Sequence, residues 1–328
     1  MKNRQLPLVI ASILMSPITV NAEQHHHQHH VGPTAPIGVM GSHMHPKGEW
    51  MLSYSFMQMK MDGNRNDTDN VSTPLPGYMV SPESMDMDMH MLGVMMGYSE
   101  NITLMAMLPV TSISMDHTVN MSGLPFTTEA SGLGDLKLSA LIKINEQWLS
   151  QVGLNLPTGS IDEKDVTPAS SGIAVQLPYP MQLGSGSYDL NAGLTYSFGE
   201  NNNSWGAQAN IIVRLNDNDR DYHLGNRVEI SSWYSYGIDE KHSTSIRLKL
   251  EDWGNISGAD ADLNPMMVPT ADANLRAGTR LDVLLGYNYQ IDKSMLLGVE
   301  AGVPVYQKLD GPQLETDLIF SLGMQYAF

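Results

Sequence analysis

The sequence predicts an all-β protein: one transmembrane antiparallel β-barrel of about twelve strands, preceded by a signal peptide and a short irregular His-rich segment. Three observations lead there. From Trp50 to Phe328 apolar and polar residues alternate in run after run, as in a strand with one face on lipid and the other on the lumen. The connections between runs alternate short and long. The chain also opens on a secretory signal, yet no later stretch reaches the ~18 consecutive apolar residues of a membrane helix. An exported chain without such a helix spans a membrane only as a closed barrel.

The elements follow in chain order. Residues 1–22 read as the signal peptide: Lys2 and Arg4 are its basic region, Leu6 to Met15 its apolar core, and Val20-Asn21-Ala22 its small-residue cleavage site. Residues 23–47 read as an irregular periplasmic segment rich in His, Pro and Gly. The barrel occupies 48–328. Its first three runs cover 50–61, 85–98 and 102–115. In the next, Leu136, Leu138, Ala140, Ile142 and Ile144 oppose Lys137, Ser139 and Lys143. Later runs repeat this, down to Leu318, Phe320, Leu322, Met324, Tyr326 and Phe328 opposite Asp317, Ser321, Gly323 and Gln325. Tyr and Trp gather at strand ends, as in an interfacial girdle. Short turns near 99–100, 145–146, 201–202, 239–240 and 292–293 read as periplasmic. Long segments at 62–84, 116–134, 157–187, 216–226, 252–280 and 307–316 read as extracellular. A soluble β-sandwich also alternates, but its core would not tolerate charges on the inward phase. Here that phase holds Lys137, Lys143, Arg214, Arg247, Lys249, Glu251, Arg280, Asp282 and Glu300.

Composition narrows the function. Cysteine is absent, which excludes disulfides, thiolate metal sites, a Cys nucleophile and a lipoprotein anchor. The net charge of −17 argues against nucleic-acid binding. A hydrolase needs a Ser activated by a His. The candidates His242 and Ser243 are adjacent, so a strand points them to opposite faces, and no G-x-S-x-G elbow occurs. The expectation is a porin-like channel or transporter rather than an enzyme, with no required cofactor. Its partners are outer-membrane lipid, the outer-membrane barrel assembly machinery, and a small solute or metal ion.

Methionine is the unusual residue. Residues 40–121 hold 17 of the 24. Met57, Met59 and Met61, then Met85, Met87, Met89 and Met91, then Met105 and Met107 recur with period two, which puts each set on one face of a strand. The opposite phase carries Trp50, Leu52, Tyr54 and Phe56, or Leu92, Val94, Met96 and Tyr98, or Leu104, Ala106 and Leu108. That phase is the lipid face, so the Met sets point into the lumen, with Met115 and His117 in the same phase. Thioethers are soft donors that select Cu(I), and Ag(I) is comparably soft. The candidate ligands are therefore these methionines with His117, His43, His45 and the tract His25, His26, His27, His29 and His30. Two other readings use the same residues: a lumen greased with Met for small hydrophobic compounds, and a metal-sequestering barrel without an open pore. His90, Asp86 and Asp88 fall in the lipid-side phase and read as solvated residues above the membrane band. His223 and His242 read as solvated loop or turn residues.

Two stretches carry a family resemblance. Gly132-Leu133-Gly134-Asp135-Leu136 opens one strand and Leu154-Asn155-Leu156-Pro157-Thr158-Gly159 closes the next. With the signal peptide, the alternation and the terminal Phe328, they resemble the outer-membrane proteins grouped as components of the meta-pathway of phenol degradation, many of them labelled transporters. The resemblance implies a membrane pore for small hydrophobic, aromatic compounds.

Overall fold

The computed structural model describes residues 33–328. The signal peptide and the His25–His30 tract lie outside them. Eleven strand elements close an antiparallel barrel. They are β1 (Trp50–Asp67), β2 (Val80–Ser99), β3 (Ile102–Val119), β4 (Leu136–Lys143), β5 (Trp148–Leu156), β6 (Asp189–Glu200), β7 (Asn203–Arg214), β8 (Arg227–Gly237), β9 (His242–Trp253), β10 (Gly278–Gln290) and the long element Met295–Ala327. The last reverses direction. Its first part runs antiparallel to β10, from Leu296 opposite Gln290 to Leu309 opposite Gly278. Its second runs antiparallel to β1, from Leu309 opposite Asp67 to Ala327 opposite Met51. These two crossings, 295–309 (β11) and 309–327 (β12), bring the wall to twelve spans, the even number expected of a single-chain barrel.

Alternation dictates the two faces. Leu52, Leu92, Leu104, Leu138, Val152, Leu194, Ile246, Leu285 and Leu322 are exposed on the outside, where lipid covers them. Met51, Met95, Met105, Leu141, Arg247, Arg280 and Glu300 are buried inside. The outward pairs Trp148–Tyr196 and Trp205–Tyr234, with ring centroids 5.0 and 5.6 Å apart, form part of the girdle. Trp233 departs from that expectation: it is 4% exposed, on the inner face. Only a glycine at 206 leaves room for it, because a β-carbon there would overlap the indole.

The strand ends Trp50 and Ala327 share one rim with the short turns, so this rim faces the periplasm. The seam closes there: Trp50 N–H donates to Phe328 O at 3.0 Å and Phe328 N–H donates to Trp50 O at 2.8 Å. Phe328 thus completes the hydrogen bonding of the first strand. On the outside of β1 and β2, toward the other rim, Tyr54 meets His90 at 2.8 Å, Gln58 meets Asp88 at 2.9 Å and Lys60 meets Asp86 at 3.3 Å.

The wall has one interruption. β3 pairs with β4 as far as Met107 opposite Lys137, then with a separate strand, Leu124–Leu133, from Val110 opposite Leu133. The alternation places these residues in the long segment 116–134, whereas here they form a strand. The break falls opposite Pro109, whose O accepts from Gly134 N–H at 2.9 Å. In an antiparallel pair a residue's N–H and C=O point to the same neighbour, and Pro109 has no N–H to give on that side.

Candidate functional site

The two stretches behind the resemblance meet at this break. Thr158 Oγ1 donates to Gly134 O at 2.8 Å and accepts from Leu136 N–H at 2.9 Å. The Asp135 carboxylate accepts from Gly159 N–H at 3.0 Å, Ser185 N–H at 2.8 Å and the Ser185 hydroxyl at 2.7 Å. Together they anchor the connection 157–188, which folds over the extracellular rim. Its Tyr179 packs edge-to-face on Tyr222 and accepts Asp260 N–H at 3.0 Å. Tyr179, Tyr222, Ile256 and Ala273 form an apolar cap. Burial pushes the Tyr222 phenol up to about 12.

The opposite end is occupied as well. Residues 33–48 have no regular structure and run inside the periplasmic mouth. The Thr103 hydroxyl accepts from His45 N–H at 3.0 Å. Met40 O accepts from the Gln208 amide at 2.9 Å, and Ala35 O from the Asn288 amide at 3.0 Å. Gly38 lies against Arg247 and Glu300, where a β-carbon would overlap both side chains. A segment lacking periodicity satisfies its backbone on lumen side chains rather than on a strand ladder.

Between segment and cap lies a cavity of about 710 Å³. One wall is thioether: Met57, Met59, Met61, Met85, Met87, Met89, Met91, Met107 and Met115 all line it. They form cross-strand pairs, Met57 opposite Met89, Met59 opposite Met87, and Met61 opposite Met85, which faces Met115 on its other side. The inward phase read from sequence therefore holds in β1, β2 and β3. The facing wall is charged. Arg280 donates to Glu251 at 2.8 Å and lies 2.9 Å from Asp282. Lys249 sits 3.4 Å from both carboxylates, and Arg227 lies 3.1 Å from Glu251. Arg247 pairs with Glu300, and Arg214 with Asp189. Among the described residues no ion pair involves Lys137, although it lines the same cavity. Arg227 and Glu229, which sequence reasoning did not single out, also line it. They share the phase of Ser231 and Trp233, opposite Val228 and Ile230, so the signal was present.

The remaining candidate ligands divide by place. Met105 and His43 border a second cavity near the periplasmic mouth. His43 and His45 stand edge to face, 5.0 Å between ring centroids. Burial holds His43 well below its usual range, at about 4, and lowers His45 in the same direction. His117 is buried above the Met wall, its Nε2 3.1 Å from Thr128 Oγ1 and its ring stacked on Phe126. Among the described residues, no three His, Asp or Glu side chains converge as a metal site. His223 and His242 are partnered at the surface by Asp217 and Tyr287. Lys143 pairs with Glu146 at a periplasmic turn, 2.7 Å away.

The family model described as "Putative MetA-pathway of phenol degradation" matches residues 88–314. The chain belongs to this family. The match starts within β2, so segment 33–48 and β1 lie before it. An outer membrane channel from Pseudomonas putida F1 superposes with a TM-score of 0.64 at 15% identity, covering 90% of this chain and 100% of that one. The β domain of the Bordetella autotransporter BrkA gives 0.49 at 12%, covering 86% and 100%. The TodX monoaromatic hydrocarbon channel gives 0.44 at 10%, covering 86% and 90%. At these identities the likeness is one of fold. No curated protein matches the chain. The closed barrel with its apolar outer face makes this family member an outer-membrane protein of a Gram-negative cell.

Proposed function

We propose that this barrel is a channel for small, largely apolar solutes of the aromatic class, held in passage between the thioether wall and the charged wall. The observation that carries the reading is the nine-methionine lining of one side of the 710 Å³ cavity. Thioether chains are flexible and polarizable and make favourable contacts with aromatic rings, so a planar apolar solute finds adaptable partners there. A polar substituent on the same solute would face the opposite wall. Seven basic side chains line the cavity, namely Lys137, Arg214, Arg227, Arg247, Lys249, Arg276 and Arg280. Five carboxylates line it or pair with these bases: Glu229, Glu251, Asp189, Asp282 and Glu300. The balance favours a hydroxyl or an anionic group on the solute. The family's description by phenol degradation supports the same class.

The test is uptake into vesicles with a lipopolysaccharide outer leaflet, which slows unassisted entry of apolar compounds. The expected result is saturable uptake of labelled phenol and benzoate, faster than that of a sugar of similar size. Met87→Asp with Met89→Asp should remove the preference by charging the apolar wall. Equal passage of sugar and aromatic, or no assisted passage at all, would refute the reading.

A further inference from the structure

The second cavity shares Ile37, Met40, Ser55 and Met107 with the solute cavity but is distinguished by Met51, Met95, Met105 and His43. Its volume is about 30 Å³, room for one monatomic ion or one water. It lies where the segment 33–48 meets the inner face of β1, β2 and β3. Met40 and His43 border it from the segment; Met51, Met95, Met105 and Met107 border it from the wall. Met51, Met95 and Met105 are directly opposite one another across three strands. Side chains so placed have β-carbons about 5 Å apart, within reach of a common centre for long thioethers. Met51, Met95 and Met105 are each 6% exposed or less. No carboxylate borders the cavity.

We propose that this pocket binds one soft monovalent cation, Cu(I) or Ag(I), and that the bound ion clamps the segment to the barrel wall. The donor set decides the ion. Hard cations take oxygen ligands, whereas thioether and imidazole donors select soft ones. Neither donor type adds charge, so the ion keeps its charge and needs a nearby counter-charge. Glu49 supplies one, its carboxylate 3.4 Å from His45 Nδ1, with His45 beside His43. His45 does not border the cavity; its Nε2 is buried behind His43 without a hydrogen-bond partner. The ligands come from two parts of the chain that the ion would join. Occupancy therefore opposes release of the segment and lowers passage through the barrel. This inference does not rest on the solute assigned to the larger cavity.

The experiment uses the mature chain in detergent micelles, with methionine labelled at the ¹³C-methyl position and titrated with Ag(I). The expected result is movement of the Met40, Met51, Met95, Met105 and Met107 methyl signals, complete at one equivalent of non-histidine-tract metal. Signals of Met61, Met85 and Met115, which belong to a separate cluster, should stay in place. Methyl readout separates this pocket from silver held by His25–His30. Competition for Cu(I) against bicinchoninate gives the second arm. Met95→Leu with Met105→Leu keeps bulk and should weaken the tight site at least tenfold, while Met87→Leu with Met89→Leu should not. A heat-modifiable gel shift confirms that each variant is a folded barrel. Absent or evenly spread methyl shifts, or an unchanged Cu(I) affinity in the Met95/Met105 variant, would overturn the proposal.

Discussion

Replacing Glu300 with Ala isolates the buried charge pair that braces the periplasmic segment. Arg247 and Glu300 are 6% and 0% exposed, with Arg247 Nε donating to Glu300 Oε1 at 2.9 Å and a second, parallel bond beside it. Removing one partner of a buried pair strands the other charge and costs about 3–5 kcal/mol. Arg247 also borders the cavity, where water partly solvates the stranded guanidinium, so the loss should lie near ~3 kcal/mol, the low end of that range. Replacing both residues with Met removes charge and partner together and should cost only ~1–1.5 kcal/mol, since an apolar isostere often matches a buried pair. The residual comes from the bond of Arg247 Nη1 to Gly38 O, 3.4 Å long, which the double variant also loses. Urea unfolding of the barrel in phospholipid vesicles, followed by tryptophan fluorescence, measures all three proteins. A double variant as unstable as Glu300→Ala, or a single variant within ~0.5 kcal/mol of the parent, would show that the pair is not desolvated as the argument requires.

Asp135→Ala removes the acceptor of three bonds at the wall's interruption. It should cost about 3 kcal/mol and make the connection 157–188 sensitive to limited proteolysis. Gly206→Val drives a side chain into the Trp233 ring and should lower stability by ~1–3 kcal/mol, read as a smaller folded fraction in a heat-modifiable gel. Deleting residues 33–44 leaves the strand hydrogen bonds untouched and should raise single-channel conductance in planar bilayers. An unchanged step size would mean that the segment does not obstruct the lumen.

The wall was legible because lipid and lumen impose a two-residue period on every strand. The same rule makes the inward Met phase legible from sequence, since the opposite phase of β1, β2 and β3 is so plainly apolar. The Leu124–Leu133 strand was missed although Phe126, Thr128 and Ala130 alternate with Thr127, Glu129 and Ser131, because mixed polarity on both faces blurs the period. The inward place of Trp233 is harder to read: an aromatic side chain suits both a girdle and a packed interior, and only its phase with Ser231 and Ser235 distinguishes them. The place of residues 33–48 could not be read from spacing, because an irregular chain held by scattered lumen side chains leaves no period. Nor could the meeting of Asp135 with Ser185, which are fifty residues apart and joined only by a folded connection.

The interior bounded by segment 33–48 below and by the Tyr179–Tyr222 cap above has a kinetic consequence. For the proposed channel, a lumen narrowed at both ends would work as a waiting room rather than a corridor. A molecule must come to rest inside before it leaves, so traffic has a ceiling set by whichever door opens more slowly. Rate should then level off as the outside concentration rises, and one visitor should delay the next. Such a barrel can admit its cargo without leaving the cell an unguarded hole.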